Sequence, residues 1–202
     1  MIRTASSPKA RRAEPSKPKR LVLRVTLRHI EPPVWREISV PDTYSLLQLH
    51  RCIQMVFSWL DYHLFEFRLG ARRFEAADSE ADGEDAARVR LCDLDLTARS
   101  TFLYVYDMGD HWEHEITVGR ITDVPVRGER DPLAYLVGGA RAAPPEDVGG
   151  PPGYENAIAA FARRSPEDEQ TLVWLGPGFQ PELFDQRAGN HALMLATAWS
   201  VI

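Results

Sequence analysis

The chain has 202 residues, 44% of them hydrophobic, with a formal net charge of −5, enough to build one domain around a real core. Residues 1–20 hold seven Lys/Arg against one Glu, so the remainder is strongly acidic. An acidic body disfavours a broad nucleic-acid surface, because phosphate neutralisation dominates such binding. Only the basic tail could make that contact, and its Pro, Ser and Ala content predicts disorder. The expected organisation is a disordered tail over 1–20 and a single α+β domain over 21–202. Cys52 and Cys92 form no CxxC motif, so no disulfide framework is expected. With no secretory apolar region and no run of about 18 apolar residues, a cytoplasmic protein without membrane contact is expected.

In chain order, Leu21, Leu23, Val25 and Leu27 alternate with polar residues and predict a half-buried strand. Glu31-Pro32-Pro33 breaks it, and Val34–Val40 reads as a second strand closed by Pro41. Asp42-Thr43 offers caps for a helix over Tyr44–Trp59, where Leu46, Leu49, Ile53, Val56 and Phe57 recur at helical spacing. His63–Leu69 alternates as a strand and turns at Gly70 into Arg72–Glu75. The acidic stretch Glu75–Asp85 begins like a calcium loop at Asp78, Glu80, Asp82 and Gly83. Its twelfth position is Val89, which cannot supply the bidentate carboxylate, so a solvated loop is predicted. Val89-Arg90-Leu91 reads as a short strand. Asp131–Gly153 is dense in Pro and Gly and predicts an irregular loop. Helical spacing follows over Tyr154–Arg164, Pro166–Leu175 reads as another short helix, and Pro181–Phe184 and Asn190–Trp199 are expected to cover the sheet.

The densest chemistry lies in Thr101–Val118. Phe102, Tyr104 and Tyr106 alternate before Met108-Gly109, and Trp112, His114, Ile116 and Val118 alternate after it, which predicts a hairpin. Pairing Asp107 with His111 across a three-residue loop puts the aromatics on one face with Trp112, His114 and Ile116. The two-residue alternative would need a positive φ at Met108, so the first register is preferred. Carboxylates and imidazoles at this tip could hold a divalent metal or move protons. Equally, His114 could be a core histidine in an aromatic layer, with the aspartates fixing the turn.

Several ordered motifs make the chain resemble the plasmid pRiA4b ORF-3-like family over about residues 21–195. They are Pro32-Pro33-Val34-Trp35-Arg36, Leu49-His50, His63-Leu64 with Glu66-Phe67, and Tyr106–Asp110 with Trp112 and His114. Further along come Arg141 with Pro144–Asp147, Gly149-Gly150 with Gly153-Tyr154, and Phe179 with Pro181, Phe184-Asp185 and Asn190. The resemblance implies an α+β fold, a mixed or mostly antiparallel sheet covered by helices. It also implies no agreed biochemical activity, and an association with plasmids or mobile-element passengers. Family cysteines near Leu136, Ala143 and Val148, and a second histidine near Phe65, are missing here. Any metal site must therefore use His and carboxylates.

Enzyme motifs are scarce. No GxSxG, Walker A, GxGxxG or HExxH occurs, and every lysine lies within residues 1–20, which excludes a Ser–Lys dyad in the body. No helix-turn-helix with a basic recognition helix is evident. Two readings remain. The preferred one is a binding or accessory module for a protein or small molecule, with a groove shaped by Tyr104, Tyr106, Trp112, Tyr154 and Arg141. The alternative is a metal-assisted hydrolase or nuclease in which some of His63, Asp107, Asp110, His114, Glu146 and Asp147 converge on a divalent ion. His63, Asp107, Asp110 and His114 are the expected ligands. Convergence of three of the six on an open site separates the two readings.

Overall fold

The computed structural model describes residues 18–77, 82–123 and 134–199, the last four by backbone alone. The expected disordered tail lies outside them up to residue 17, as do Asp78 and Glu80 of the acidic loop. The described residues form the strands β1 (Lys19–Leu27), β2 (Trp35–Pro41), β3 (Phe65–Leu69), β4 (Arg72–Glu75), β5 (Glu84–Asp85), β6 (Thr101–Tyr106), β7 (Trp112–Asp123) and β8 (Tyr135–Ala140). Among these residues one eight-stranded sheet is built, in the order β5-β4-β3-β6-β7-β1-β2-β8. The helices are α1 (Leu46–Phe57), α2 (Gly150–Arg163), α3 (Glu169–Leu175) and α4 (Gln186–Trp199). Every pairing is antiparallel except β4 with β5, so the expected mixed, mostly antiparallel sheet with covering helices is what forms.

Several boundaries differ from the sequence expectation. Lys19 and Arg20 belong to β1, because they pair with Asp123 and Thr122 of β7 and Arg20 binds Ser39 through Nε and Nη2. Ser45, rather than Asp42 or Thr43, caps α1: its hydroxyl accepts from Gln48 N–H while the Gln48 side chain accepts from Ser45 N–H. Val89–Leu91 is no strand; Arg90 makes a single bridge to Ser45 before a 3₁₀ turn at Leu91–Asp93. Glu84–Asp85 of the expected solvated loop adds a short parallel edge strand. The Gly-rich stretch expected to be irregular contains β8. There Gly139 permits close packing, since a Cβ would run into the Phe184 ring and the Trp35 carbonyl.

The hairpin has the preferred register, with Tyr106 opposite Trp112, Tyr104 opposite His114 and Phe102 opposite Ile116. All six side chains are buried. On them packs α1, whose apolar face carries two polar residues inward. His50 stacks on Phe65 at 3.7 Å, and Gln54 donates to Tyr104 Oη at 3.0 Å. His50 Nε2 lies 2.8 Å from Asp61 Oδ1, and its Nδ1 lies 2.9 Å from Tyr104 Oη. Burial lowers the pKa of His50, so the neutral ring donates from Nε2 to Asp61 and accepts at Nδ1 from the Tyr104 hydroxyl. The network is then satisfied.

His114 is also core. Its ring meets Phe57 and Trp59 edge-on at 4.9 and 5.3 Å, and Nδ1–H donates to the Trp112 carbonyl at 3.1 Å. Burial pushes its pKa down to about 3. A folded-state value below the unfolded one stabilises the protein above pH 6.5, and the stabilisation is lost as pH falls toward 3. His114 alone should contribute a slope of about 1.4 kcal/mol per pH unit across that window. Urea titrations at pH 7, 5.5 and 4.5 should show a shallower loss in His114→Leu than in wild type, and equal slopes would contradict this burial.

The strand-to-helix segment after β8 depends on glycine. A Cβ on Gly153 would overlap the Val148 carbonyl oxygen, a backbone atom with little room to move. Gly153→Ala should therefore cost more than about 2 kcal/mol in chemical denaturation; wild-type stability would contradict the packing of this turn.

Candidate metal centre

Three segments meet at the tip of the β6–β7 hairpin: the approach to β3, the tip itself, and the turn between β8 and α2. Asp107 N–H donates to the Leu64 carbonyl at 2.9 Å, which clips the tip to the chain entering β3. Asp110 Oδ2 accepts from Gly149 N–H at 3.0 Å, which clips the same tip to the start of α2. Glu146 Oε1 accepts from Leu60 N–H at 2.8 Å and from the Tyr106 hydroxyl at 3.1 Å. That hydroxyl in turn accepts from Tyr62 N–H at 3.1 Å. Burial, reinforced by the Glu146 carboxylate, raises the Tyr106 pKa and keeps it a donor.

These clips bring together His63, Asp107 and Asp147. His63 Nε2 lies 3.1 Å from Asp147 Oδ1 and 3.6 Å from Asp107 Oδ2, and one donor atom from each residue falls within 4.8 Å of the others. Donors bound at about 2.0–2.2 Å to one ion stand roughly 3.0–3.5 Å apart, so the His63–Asp147 spacing suits a shared metal and Asp107 Oδ2 lies just beyond that range. Two carboxylates also balance the charge of a divalent ion. The exposure is graded: Asp107 is buried, His63 is partly exposed at 29% and Asp147 is open at 68%. One side of the cluster therefore faces solvent.

The backbone aims these groups. Asp107 and Asp147 both sit at φ 57°, in the left-handed region that Asp tolerates better than most residues. Asp107 Oδ1 accepts from Gly109 N–H at 2.8 Å and Asp110 N–H at 3.3 Å, which leaves Oδ2 for His63. The Tyr106 ring meets the His63 ring edge-on at 5.8 Å and limits its rotation.

Of the expected site residues, His63, Asp107 and Asp147 converge. Asp110, expected as a ligand, uses a carboxylate oxygen on Gly149 N–H. His114, also expected as a ligand, is enclosed by aromatic rings on the core side of the hairpin. Trp112 is buried beside Trp59, at 6.2 Å between rings. Arg141 binds Glu182 at 3.0 Å and the Pro32 carbonyl, and Tyr154 donates to the Ala142 carbonyl at 2.8 Å. Those roles hold the walls together.

The expected groove of Tyr104, Tyr106, Trp112 and Tyr154 is filled core, because all four are buried. A different cleft, of about 380 Å³, opens beside Asp147 between α2 and α3. Asn156, Gln170, Thr171 and half-exposed Trp174 line it, residues not singled out from the sequence. No sequence signal marked them: that Trp174 is exposed, on a seven-residue helix with no buried residue, shows only in the fold.

No helix among the described residues is long and apolar enough to cross a membrane. Residues 19–188 match the family model for plasmid pRiA4b ORF-3-like protein. The uncharacterized protein y4hQ of Sinorhizobium fredii (strain NBRC 101917 / NGR234) is 38% identical over 188 residues, covering 88% of this chain and 93% of that protein. The crystal structure of MM3350 from Methanosarcina mazei Go1, a protein of unknown function, superposes with a TM-score of 0.76 at 34% identity. That match covers 85% of this chain and 98% of the other. With the ordered motifs along the chain, these matches identify the family, one without an established biochemical activity: the chain belongs to the plasmid pRiA4b ORF-3-like family.

Proposed function

We propose that this protein is a metal-dependent binding module. In this reading His63, Asp107 and Asp147 hold one divalent ion and leave coordination positions free for a small anionic ligand. The observation that carries it is the convergence of one imidazole and two carboxylates on a partly open point, with one donor atom from each within 4.8 Å of the others. Nitrogen and oxygen donors without thiolate suit Mn²⁺, Zn²⁺ or Mg²⁺. When bound, the ion would supply positive charge to an oxyanion. The adjoining cleft would receive the rest of the ligand, with Asn156 and Gln170 as hydrogen-bonding groups and Trp174 as a flat apolar wall.

Glu146 Oε1 accepts from Leu60 N–H and the Tyr106 hydroxyl, and Asp110 Oδ2 from Gly149 N–H, so both acids help to hold the segments around the cluster together. A cytoplasmic location belongs to the same proposal, and the free thiols of Cys52 and Cys92 support a reducing compartment.

Calorimetric titration of untagged, chelator-treated protein with Mn²⁺ and Zn²⁺ tests the reading. One site per chain is expected for at least one of them. His63→Ala and Asp147→Asn should each weaken binding at least about tenfold with the circular dichroism spectrum unchanged. Absence of binding by both ions, or binding untouched in both variants, would contradict it.

A further inference from the structure

A second site lies on the opposite part of the sheet, where β2 and β8 meet α1 and α4. Arg36 of β2 is only 4% exposed, and its guanidinium sits between the Phe57 and Phe184 rings at 5.1 and 5.0 Å. Four of its five N–H groups meet backbone carbonyls: Nε that of Val56, Nη1 those of Trp35 and Ala140, and Nη2 that of Arg141. These bonds join β2, β8 and the end of α1, which explains why an arginine stands there. They do not neutralise it. Among the described residues no carboxylate pairs with Arg36, whereas buried charges are ordinarily paired. Burial lowers its pKa only to about 10, so it stays cationic at neutral pH.

Arg36 lines a cleft of about 280 Å³. Its walls include Phe57, Leu136, Phe184 and Ala192, with the polar groups Ser58 and Asp185. Asp185 is an exposed residue, and its Oδ1 already accepts from Arg187 N–H and Ala188 N–H, so it serves the first turn of α4. A cation with one uncommitted N–H and no counter-ion, set among apolar walls, selects for a negative head on a short hydrophobic body. At about 30 Å³ per water, the cleft holds roughly nine waters' worth of volume, which matches six to nine non-hydrogen atoms.

We propose that this cleft binds a small organic carboxylate, whose head group pairs with Arg36 and whose apolar body lies against Phe57, Leu136 and Phe184. The site is separate from the metal centre, shares no residue with it and needs no metal.

Calorimetric titration of the full chain in chelator with hexanoate and benzoate tests this, with hexanamide as the neutral isostere. Saturable binding of at least one carboxylate is expected, at about millimolar Kd or tighter, and at least tenfold weaker binding of hexanamide. Because Arg36→Gln removes bonds to three strand and helix carbonyls and can unfold the chain, Ala192→Leu is the second variant. It narrows the cleft and leaves Arg36 in place, so it should abolish carboxylate binding while the thermal midpoint stays near wild type. No saturable carboxylate binding up to 10-fold above about 1 mM, equal binding of hexanamide, or undiminished binding in a folded Ala192→Leu would each overturn the proposal.

Discussion

The candidate metal centre depends on the conformation of Asp107. This residue leaves β6 in the left-handed region, gives its N–H to Leu64 and commits one carboxylate oxygen to the turn amides of Gly109 and Asp110. Only after those commitments does its second oxygen face His63. A carboxylate oriented by backbone amides loses little further freedom when it engages a ligand, which is how a hairpin tip can serve as a preorganised donor. Asp110 and Glu146 act in the same sense, holding the start of α2 and the Leu60–Tyr62 segment against the tip.

Beneath that tip the hairpin is rigid because its inner face is filled. Tyr106, Trp112 and His114 pack against Trp59 and Phe57, and the Trp59 indole donates to the Pro144 carbonyl at 2.8 Å. The loop that carries Asp147 is thus anchored three residues earlier to the same aromatic layer that positions Asp107. One layer therefore fixes both carboxylates. His114 contributes as a neutral ring in that layer, so of the two roles the sequence offered it, metal ligand or core histidine, the structure gives it the second.

Much of this was legible in the sequence, for physical reasons that can be named. The period-two alternation on both sides of Met108-Gly109, together with the steric cost of a positive φ at Met108, gave the hairpin register. The side assignment of Trp112 and His114 followed from it. Helical spacing in α1 was equally plain. What alternation could not give was which of several acids at the tip would meet His63. That depends on where the turn before α2 comes back, and the turn is set by positive-φ geometry at Asp147 and Gly149. Nor could β8 be read, because Gly138-Gly139 looks like punctuation until Trp35 and Phe184 are seen packed against it. Arg36 belongs to a motif that carries the family resemblance, yet nothing in its neighbours along the chain foretells a buried cation served by carbonyls from distant segments.

The most direct measurement is anomalous diffraction from crystals soaked separately in Mn²⁺ and in Zn²⁺. With at least one of the two ions, one strong peak is expected about 2.0–2.4 Å from His63 Nε2, Asp107 Oδ2 and Asp147 Oδ1. Fully soaked crystals with no density among these three atoms for either ion, or with the ion held by other residues, would contradict the central claim.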